Sequence, residues 1–459
     1  MQARVNLTDW RLHYKTMGFP LYRTTAFPLS KKNTFLFILL LVFCIFIATK
    51  QVLQMFNKSL NTRPNPPWDI GRNHVFHPVG GTHALAFSAY FDTSTEDHVF
   101  VRVFALAPRD KSYIHISCKL FYRGLPTIVQ ISSKVEMLNS HFGFMYTVYN
   151  FICDAPKHLP SPSHVTLVDE SSHLGENFLI PVYAPSNSSH KHTFGVCLPT
   201  LFGEFNNSLL FIQSVEMYRI LGVGIVTVYN TSVSPSMEKV LKHYAQTGFI
   251  DIVQWPIEHH LNPSKGWIPT ISPGDIHYYG QMATINDCLY RNMYRVKYLA
   301  VNDIDEIILP RHWSNWASMM EALEEDKVAA YYFKMHTFPV NETYTWNLGP
   351  GMELRGTDIL KQTVKLVPPI HSADTPTKVL LCPTRVVFHA VHGVLTFHSG
   401  FTRKDVPDSD ATVQHYKAWD KKWQFPKSSE LEYDNSTLKY SQLLGERVSM
   451  IGNSIQGLL

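Results

Sequence analysis

The sequence contains little charge for a chain of 459 residues. Asp, Glu, Lys and Arg make up only 17% of it, and the formal net charge at pH 7 is +4. Proteins that bind nucleic acid usually carry a basic patch or stripe, because phosphate contacts dominate their affinity. The sequence has no such stripe, so we expect no nucleic acid partner. Its 13% of aromatic residues indicates instead a globular protein with aromatic-lined surfaces.

Two glycine-rich phosphate-binding motifs are also absent. No Gly-x-Gly-x-x-Gly follows the first strand of the predicted α/β region, and no Walker lysine loop occurs in the chain. These loops hold phosphates through backbone amides, which is why their glycines are needed. The two absences argue against a Rossmann dehydrogenase and against a P-loop NTPase.

A single membrane anchor is predicted near the N-terminus. Residues 33–49 carry no charge, and the run from Phe35 to Ala48 is apolar throughout. This length suits a spanning helix in the thinner bilayer of the early secretory pathway. Six basic residues precede the run and three follow it closely, which places the N-terminus in the cytosol. The alternative, a cleaved signal peptide, is disfavoured by the long segment before the run.

The rest of the chain would then lie in the secretory lumen. Its Asn-x-Ser/Thr sequons are candidate N-glycosylation sites. They begin at Asn57, Asn187, Asn206, Asn230, Asn341 and Asn435. Five of the six cysteines follow the anchor, where the oxidising lumen permits disulfides. Because five is odd, at least one thiol is free or bonded to another chain. We predict that Cys118 pairs with Cys153, since both lie in one predicted β-rich region.

Composition and periodicity divide the chain into six segments. They are a cytosolic tail (1–32), a transmembrane signal anchor (33–50), a proline-containing stem (51–73), a β-rich domain (74–183), an α/β domain (190–425) and a C-terminal helical tail (426–459). In the β-rich domain, six or so short strands alternate with turn residues, which predicts a small β-sandwich that acts as a spacer or binds the acceptor. The C-terminal tail has helical spacing, and it would pack on the α/β domain or pair with another subunit to form a homo-oligomer.

The α/β domain shows alternating strands and helices. Helical spacing covers residues 209–221, 235–246 and 276–291, and buried strands lie between these segments. A fourth strand covers residues 298–301. This order predicts a doubly wound, nucleotide-binding α/β fold.

The fourth strand runs directly into an acidic cluster, Asp303-Ile304-Asp305-Glu306. Ligands of α/β proteins bind outside the carboxyl ends of the strands. Two carboxylates placed there can share a hard divalent cation with phosphate oxygens. The alternative is an ordinary turn or helix cap. On this stretch alone both interpretations stay open, and a site for a metal and a phosphate depends on the rest of the domain.

An ordered set of motifs resembles glycosyltransferase family 92, which has the GT-A fold. The set is Val196-Cys197-Leu-Pro-Thr-Leu-Phe-Gly203, Gly222-x-Gly with Tyr229-Asn230, Tyr279-Gly-Gln281, Asn286-Asp287-Cys288-Leu289, Asp303-Ile-Asp305-Glu306 and His415-Tyr416-Lys417. The resemblance covers about residues 190–420, and Lys417 replaces the arginine of the family pattern. It implies a type II Golgi membrane enzyme that transfers galactose from UDP-galactose with inversion. The product would be a β-1,4 link to galactose or fucose of an N-glycan.

The resemblance also implies roles for individual residues. Asp305 would bind Mn²⁺ or Mg²⁺ directly, Asp303 would orient the ribose or bind the metal through water, and His392 or His415 would supply a further ligand. Glu306 would orient its neighbours. The donor-binding candidates are Cys197, Pro199, Tyr229, Gln281, Lys378, Arg385 and Lys417. For the three basic residues among them, solvated surface charge is the alternative role.

Inversion requires a general base that takes the proton of the acceptor hydroxyl. The base is expected after the Asp-x-Asp strand, and Glu342, Glu353 and Asp358 stay open as candidates. Two other classes of protein remain. A glycoside hydrolase would use a pair of carboxylates without metal, and a catalytically silent, lectin-like adhesion protein would use the α/β fold as a scaffold.

Overall fold

A computed structural model describes residues 76–172, 178–185, 190–349, 352–367, 375–420 and 424–456. All of these residues belong to one compact unit. The predicted cytosolic tail, anchor and stem lie outside the described residues. Within the described residues, no helix is long and apolar enough to cross a membrane.

Nine strands build the first sheet. They are β1 (His77–Pro78), β2 (Leu85–Asp92), β3 (Phe100–Pro108), β4 (Ile116–Phe121), β5 (Ile128–Ser132), β6 (Lys134–Met137), β7 (Tyr146–Asp154), β8 (His164–Asp169) and β9 (Ile180–Tyr183). Their order is β5-β4-β8-β9-β2-β3-β7-β6, with β1 paired to β2. A disulfide joins Cys118 of β4 to Cys153 of β7, which confirms the predicted pair. Because β4 and β7 are far apart in the strand order, the sheet must fold over into two layers.

One predicted strand of this sheet is in fact two. The pattern of residues 127–136 predicts a single strand, but in the structure β5 pairs with β4 whereas β6 pairs with β7. The break lies at Ser133, whose N–H and hydroxyl both donate to the carbonyl of Ile116. These side-chain and backbone bonds turn the chain from one layer to the other.

The second part of the chain contains the remaining strands and the helices. The strands are β10 (His192–Leu201), β11 (Ile225–Asn230), β12 (Ile250–Gln254), β13 (Val296–Val301), β14 (Glu306–Pro310), β15 (Val328–Val340), β16 (Tyr344–Gly349), β17 (Met352–Gly356), β18 (Val364–Leu366), β19 (Thr377–Leu381), β20 (Val386–Ala390), β21 (Gly393–Phe397), β22 (Thr402–Asp405), β23 (Ala411–Ala418) and β24 (Leu431–Tyr433). The α-helices of the described residues are α1 (Ser208–Ile220), α2 (Pro235–Gln246), α3 (Gln281–Asn292), α4 (Trp316–Leu323) and α5 (Ser441–Gln456).

The first two helices begin where the sequence predicts. The side chain of Asn207 accepts a hydrogen bond from the backbone N–H of Leu210 and so caps α1. Ser234 caps α2 in the same way, with Pro235 at the first helical position. Helix α3 starts five residues later than expected, because Tyr278, Tyr279 and Gly280 adopt left-handed backbone angles before it.

The second sheet has the order β12-β11-β10-β13-β19-β15-β23-β14, with β22 on β15. Strands β12, β11, β10 and β13 are parallel. This half confirms the predicted α/β fold. The order in which its strands follow one another reverses between β10 and β13, and such folds bind ligands at that point. Strands β15 and β23 end at the same edge, and β14 and β19 begin there. We call this edge the carboxyl edge.

The β-branched and apolar residues of the segment 379–388 predict one strand, but the structure interrupts it. Strand β19 ends at Leu381, and a short 3-10 helix covers Pro383–Arg385 before β20 begins. Proline lacks the N–H that a sheet ladder needs, which explains the interruption. Strands β20 and β21 form a separate two-stranded sheet.

The two sheets share a hydrophobic core. Phe87 and Phe104 of the first sheet lie in one buried cluster with Trp255 and Met282 of the α/β part. The hydroxyl of Tyr90 also donates to the carboxylate of Asp287 in α3 at 2.6 Å. The β-rich domain is therefore packed against the α/β domain and does not stand apart from it.

The C-terminal segment also belongs to the fold. Strand β24 pairs with β18. Leu444 and Val448 of α5 are fully buried in the same cluster as residues of α1 and α2. The tail thus packs on the α/β domain, one of the two alternatives that the sequence left open.

Candidate donor-binding site

The acidic cluster lies at the carboxyl edge, in the turn between β13 and β14. Helix α1 braces this turn from one side. Tyr218 donates its hydroxyl to the carbonyl of Glu306 at 2.6 Å, and Ser214 donates to the carbonyl of Ile304 at 2.8 Å. On the other side, the N–H of Asn302 donates to the carbonyl of Cys197 in β10. The turn is therefore held in place before any ligand binds.

Lys378 neutralises part of the cluster. Its Nζ lies 3.1 Å from Oδ2 of Asp303 and 2.8 Å from Oε2 of Glu306. It reaches them because β19 begins at the carboxyl edge. Gln281, the first residue of α3, donates its amide to Oδ1 of Asp303 at 3.3 Å. Both carboxylate oxygens of Asp303 therefore have a protein partner.

The pKa values in this group follow burial and charge. Burial alone would raise the pKa of Asp303, but the charge and hydrogen bond of Lys378 lower it below the usual value. Burial, with the charges of Asp303 and Asp305, raises the pKa of Glu306 to about 7 despite Lys378. The pKa of Lys378 is raised because the two carboxylates outweigh the effect of burial. We therefore expect Lys378 and Asp303 to be charged at neutral pH, with Glu306 close to its titration point.

Glu306 has the orienting contacts that the sequence suggests. Its Oε2 accepts a hydrogen bond from the backbone N–H of Asp303 at 2.8 Å as well as the contact from Lys378. Its side chain is only 2% exposed. It thus ties the two ends of the turn together and presents no oxygen to solvent.

Asp305 faces a histidine instead of a lysine. Its Oδ2 lies 3.4 Å from Nε2 of His415, and both side chains are partly exposed. The pairing arises because β14 and β23 are antiparallel, with Glu306 opposite His415 and the N–H of Tyr416 donating to the carbonyl of Asp305. Burial works to lower the pKa of His415, but the hydrogen bond to Asp305 and the surrounding carboxylates raise it.

Asp305 and His415 are the residues that could bind a metal. A carboxylate oxygen and an imidazole nitrogen are both common protein ligands of divalent metal ions. Among the described residues, no group of three or more His, Cys, Asp or Glu side chains is placed to hold a metal ion. The pair therefore fits an ion whose remaining ligands come from a diphosphate and water.

The other predicted histidine ligand lies at the rim of the site. His392 is exposed in the turn between β20 and β21, and its Nδ1 lies 3.3 Å from the carbonyl of Thr377. Thr377 directly precedes Lys378 in β19, so His392 is near the cluster. Of the two histidines, His415 is the one in direct contact with an aspartate of the motif.

Lys417 shares a face with His415. The two residues are two positions apart in β23, and side chains alternate between the faces of a strand. Tyr416 between them points to the buried side, where its hydroxyl bonds to Gln414 and Thr437. Lys417 is exposed, so its ammonium group is free to reach a bound anion.

Arg385 does not belong to the site. The guanidinium donates to the carbonyl of Val328, at the start of β15. Since β15 ends at the carboxyl edge, its first residue lies at the opposite edge of the sheet. The prediction that Arg385 binds the donor is therefore wrong, and its proximity in sequence to Lys378 is misleading because β19 runs away from the site.

Two further donor-binding candidates are structural. Cys197 is bonded to Cys288 of α3 and is 1% exposed. Tyr229 is fully buried, and its hydroxyl donates to Asp287. Neither side chain can contact a substrate, which corrects both predictions. They act indirectly, since they fix β10 and β11 to the helix that carries Gln281. Pro199 is half-buried near the end of β10, and it remains at the carboxyl edge.

The three candidate bases differ in exposure. Asp358 is 1% exposed and accepts hydrogen bonds from the side chains of Gln213 and Trp346 and the N–H of Leu360, which argues against a role as base. Glu353 is exposed and paired with Arg355 at 2.7 Å. Glu342 is exposed in the loop that follows β15.

The sequons differ in the same way. Asn206, Asn341 and Asn435 are exposed. Asn230 is half-buried at the end of β11, and its Nδ2, the atom that a glycan would occupy, donates to Gln254. The structure therefore does not favour a glycan at Asn230. Asn57 and Asn187 lie outside the described residues.

Sequence reasoning missed an aromatic group beside the cluster. The ring of Phe202 is stacked on Tyr279 at 4.1 Å and is in edge contact with Tyr278 at 5.1 Å. Burial, and then the charges of Asp303 and Asp305, raise the pKa of Tyr278. The Tyr-Tyr-Gly sequence directly before α3 was the available signal, but it was read as part of the helix.

The family model described as "Glycosyltransferase family 92" matches residues 192–444, more than half of the chain. A Caenorhabditis elegans protein named beta-1,4-galactosyltransferase galt-1 is 24% identical over 242 residues, which cover 50% of this chain and 52% of that protein. Two other C. elegans proteins named as glycosyltransferase family 92 proteins are 28% and 26% identical over 32% and 34% of this chain. This chain spans about half the length of the first relative and covers 28% and 30% of the other two.

Among solved structures, Staphylococcus aureus TarS (residues 1–349) is 11% identical and covers 42% of this chain and 47% of its own, with a TM-score of 0.23. The same protein in complex with UDP gives 15% identity, coverage of 41% of this chain and 46% of its own, and a TM-score of 0.22. Likeness at this level is too partial to support an argument. The match to the family model, in contrast, spans the second sheet and the whole acidic site. The chain belongs to glycosyltransferase family 92.

Proposed function

We propose that this glycosyltransferase transfers galactose from UDP-galactose to a glycan, with inversion at the anomeric carbon. The product would be a β-1,4 link to galactose or fucose of an N-glycan. Family membership supports the class of reaction, and the name of the 24% identical relative supports the sugar and the linkage.

The observation that carries the proposal is the Asp305–His415 pair, 3.4 Å apart at the carboxyl edge. A nucleoside diphosphate leaves only if the charge that grows on its β-phosphate is stabilised as the glycosidic bond breaks. Lys417, on the same face as His415, is placed to add a positive charge to that stabilisation. Lys378 does not face solvent, so its role is to keep Asp303 charged and in position.

We propose Mn²⁺ as the ion that Asp305 and His415 hold together with the donor. When bound, such an ion acts as a Lewis acid toward the leaving diphosphate. Asp305 and His415 would each offer one ligand atom to the ion. Asp303 would not bind it directly, because Lys378 and Gln281 already bond to its two carboxylate oxygens. Asp303 is then better suited to a hydroxyl of the donor than to direct metal binding.

We propose Glu342 as the first candidate for the general base and Glu353 as the second. Both side chains are exposed, and Glu342 follows the end of β15, the strand that runs past Lys378 and His415. The Glu342→Gln and Glu353→Gln variants distinguish them. The base variant should lose turnover by at least about a hundredfold, the usual contribution of general base catalysis, while donor affinity is unchanged.

We further propose that the protein is a single-pass type II protein of the Golgi membrane with a lumenal catalytic domain. The charge-free segment 33–49 supports the anchor. The two disulfides and the exposed sequons at Asn206, Asn341 and Asn435 agree with a lumenal location.

The experiment that tests the site is calorimetry of UDP binding with and without Mn²⁺. We expect UDP to bind at least tenfold more tightly with Mn²⁺, and Asp305→Asn or His415→Ala to remove that gain. A matched control exists, since Asp154 forms a surface pair with His98 at 2.9 Å in the first sheet. Asp154→Asn should keep the full Mn²⁺ effect. Equal UDP affinity in wild type with and without Mn²⁺ would contradict the proposed metal site.

A further inference from the structure

A row of four rings links the first sheet to the acidic cluster. The row consists of Phe142, His277, Tyr278 and Phe202. Phe142 stacks on His277, with ring centroids 4.0 Å apart and planes 17° apart. The next contacts are His277 with Tyr278 at 5.9 Å and Tyr278 with Phe202 at 5.1 Å. We call this group the aromatic row.

The row joins two parts of the chain that the family match separates. Phe142 lies in the loop between β6 and β7, outside the matched residues, whereas the other three rings lie inside them. The two parts are also connected by the backbone, since the N–H of Tyr146 donates to the carbonyl of Asp275 at 2.9 Å. The loop of the first sheet is therefore fixed against the segment that leads to Tyr278.

Tyr278 is held in an uncommon backbone conformation. Its φ is +39°, and Tyr279 follows with +56°. Gly280 has φ +74°, and a Cβ there would lie 2.8 Å from Ile257. Non-glycine residues rarely adopt positive φ, and those that do cluster at ligand sites and are kept there by surrounding contacts.

A hydrogen bond of Tyr278 and a ring contact of its neighbour His277 support this conformation. Its N–H donates to the hydroxyl of Ser264 at 2.8 Å, and Ser264 is fully buried. The ring before it, His277, is covered by Phe142. Phe142 itself has φ +53° and is 39% exposed. Its main contact is therefore the stack on His277, and it contributes little to the hydrophobic core.

Tyr278 lies in the segment that leads directly into helix α3. Three residues later, Gln281 touches Asp303. No hydrogen bond joins the Tyr278 hydroxyl to any of the described residues, although Asp303 and Asp305 are close enough to influence it. A half-buried tyrosine whose hydroxyl has no hydrogen-bond partner among the described residues is available for a ligand.

We propose that Tyr278 contacts the nucleotide-sugar donor and that Phe142 is a positioning residue, which holds Tyr278 in place through His277. This inference rests on the proposed function, because the ligand is the nucleoside diphosphate sugar of that function. It assigns the first sheet a part in donor binding. This role differs from both roles that the sequence predicts for the sheet, a spacer or a module that binds the acceptor.

The test uses the purified full chain with Mn²⁺, UDP as the binding probe and UDP-galactose as the substrate. We expect Tyr278→Phe, which removes one hydroxyl, to weaken UDP-galactose binding about three- to tenfold, the usual range for one hydrogen bond. Phe142→Ala should raise the KM for UDP-galactose by a similar factor and leave kcat within twofold. Phe142→Tyr keeps the stacked ring and should restore the wild-type KM.

A matched control separates positioning from general stability. Phe100 stacks on His98, with ring centroids 5.6 Å apart and planes 14° apart. Phe100 begins β3, whereas Pro108 at the other end of β3 pairs with Tyr146, which follows the loop of Phe142. The two ends of this strand are about 27 Å apart. Phe100→Ala should leave the KM unchanged. In the Tyr278→Phe background, Phe142→Ala should add less than it does in the wild type, since Phe142 acts through Tyr278.

The outcomes distinguish the inference from the function on which it rests. If the wild type binds UDP but Phe142→Ala and Phe100→Ala have the same KM, the inference is overturned and the proposed function stands. Equal donor affinity in wild type and Tyr278→Phe would also overturn it. If the wild type binds no UDP at all, the proposed function fails and the inference fails with it.

Discussion

Removing the positive charge at Lys378 tests how the acidic turn is held together. Lys378 and Glu306 are each 2% exposed, so in Lys378→Met two carboxylates lose their buried counter-ion. Breaking a buried ion pair in this way usually costs about 3–5 kcal/mol. We expect about 3 kcal/mol at pH 7, the lower end, because Glu306 can take up a proton and Asp303 is 36% exposed to water.

The pH dependence gives this prediction its sign. The pKa of Glu306 is already raised to about 7 in the folded protein, above its usual value, so the folded state binds more protons than the unfolded state. Such a group lowers stability as pH rises toward the folded pKa. Without Lys378 that pKa rises further. The cost of Lys378→Met should therefore grow between pH 7 and 9, by up to about 1.4 kcal/mol per pH unit.

The assay is urea unfolding of wild type and variants at pH 7 and 9. Lys378→Met combined with Glu306→Gln should lose the extra pH dependence and be no less stable than the single variant. The control is Lys297→Met, which breaks an exposed pair with Glu324 and should cost no more than about 1 kcal/mol. A cost for Lys378→Met that is below 1 kcal/mol, or that does not change with pH, would refute this reasoning.

Three other predictions follow from the described contacts. The Cys197–Cys288 disulfide closes a loop with a sequence separation of 91, so the Cys197→Ser/Cys288→Ser variant should lose up to about 4–5 kcal/mol of unfolding free energy, and a loss below about 1 kcal/mol would count against this role. Burial lowers the pKa of His277 to about 4 and that of His389, where burial acts with the charge of Lys378, to about 3. Because both are neutral in the fold, together they should lower the free energy of unfolding by up to about 2.7 kcal/mol per pH unit as pH drops below 6.5. His389→Gln should reduce the slope seen in urea unfolding by up to about 1.4 kcal/mol per pH unit. Finally, Arg385→Gln should change the KM for UDP-galactose less than twofold, whereas Lys417→Gln should raise it about tenfold; the reverse order would contradict the placement of these residues.

The α/β part was predictable because its signals are local. The residues that start α1 and α2 cap them through their own side chains, and the spacing of apolar residues in these helices needs no knowledge of the rest of the chain. The acidic turn was predictable for a related reason, since a buried strand that ends in carboxylates is visible in a single stretch of sequence.

The errors arose where a residue's role depends on a distant partner. Arg385 looked like a donor-binding residue until the direction of β19 placed it at the opposite edge. Cys197 lies in a motif of the family, but its contact is the disulfide to Cys288. Asp358 is a carboxylate in the expected region, but the side chains of Gln213 and Trp346 occupy its oxygens.

Most of the aromatic row could not have been predicted, since only the Tyr-Tyr-Gly sequence before α3 gives a local signal. It depends on positive φ values at Phe142, Tyr278 and Tyr279, residue types for which that conformation is rare. It also depends on the stack between Phe142, in a loop of the first sheet, and His277, in the segment before α3. Neither the conformation nor the contact leaves a periodic pattern in the sequence.

The most direct test of the account is the release of UDP from a panel of UDP-sugars by the purified protein, with and without Mn²⁺. The acceptors would be galactose-terminated and fucosylated N-glycans, and Asp305→Asn would serve as the inactive control. The account predicts Mn²⁺-dependent turnover of UDP-galactose that Asp305→Asn abolishes. A folded wild-type protein that turns over no donor, or an Asp305→Asn variant with full activity, would contradict it.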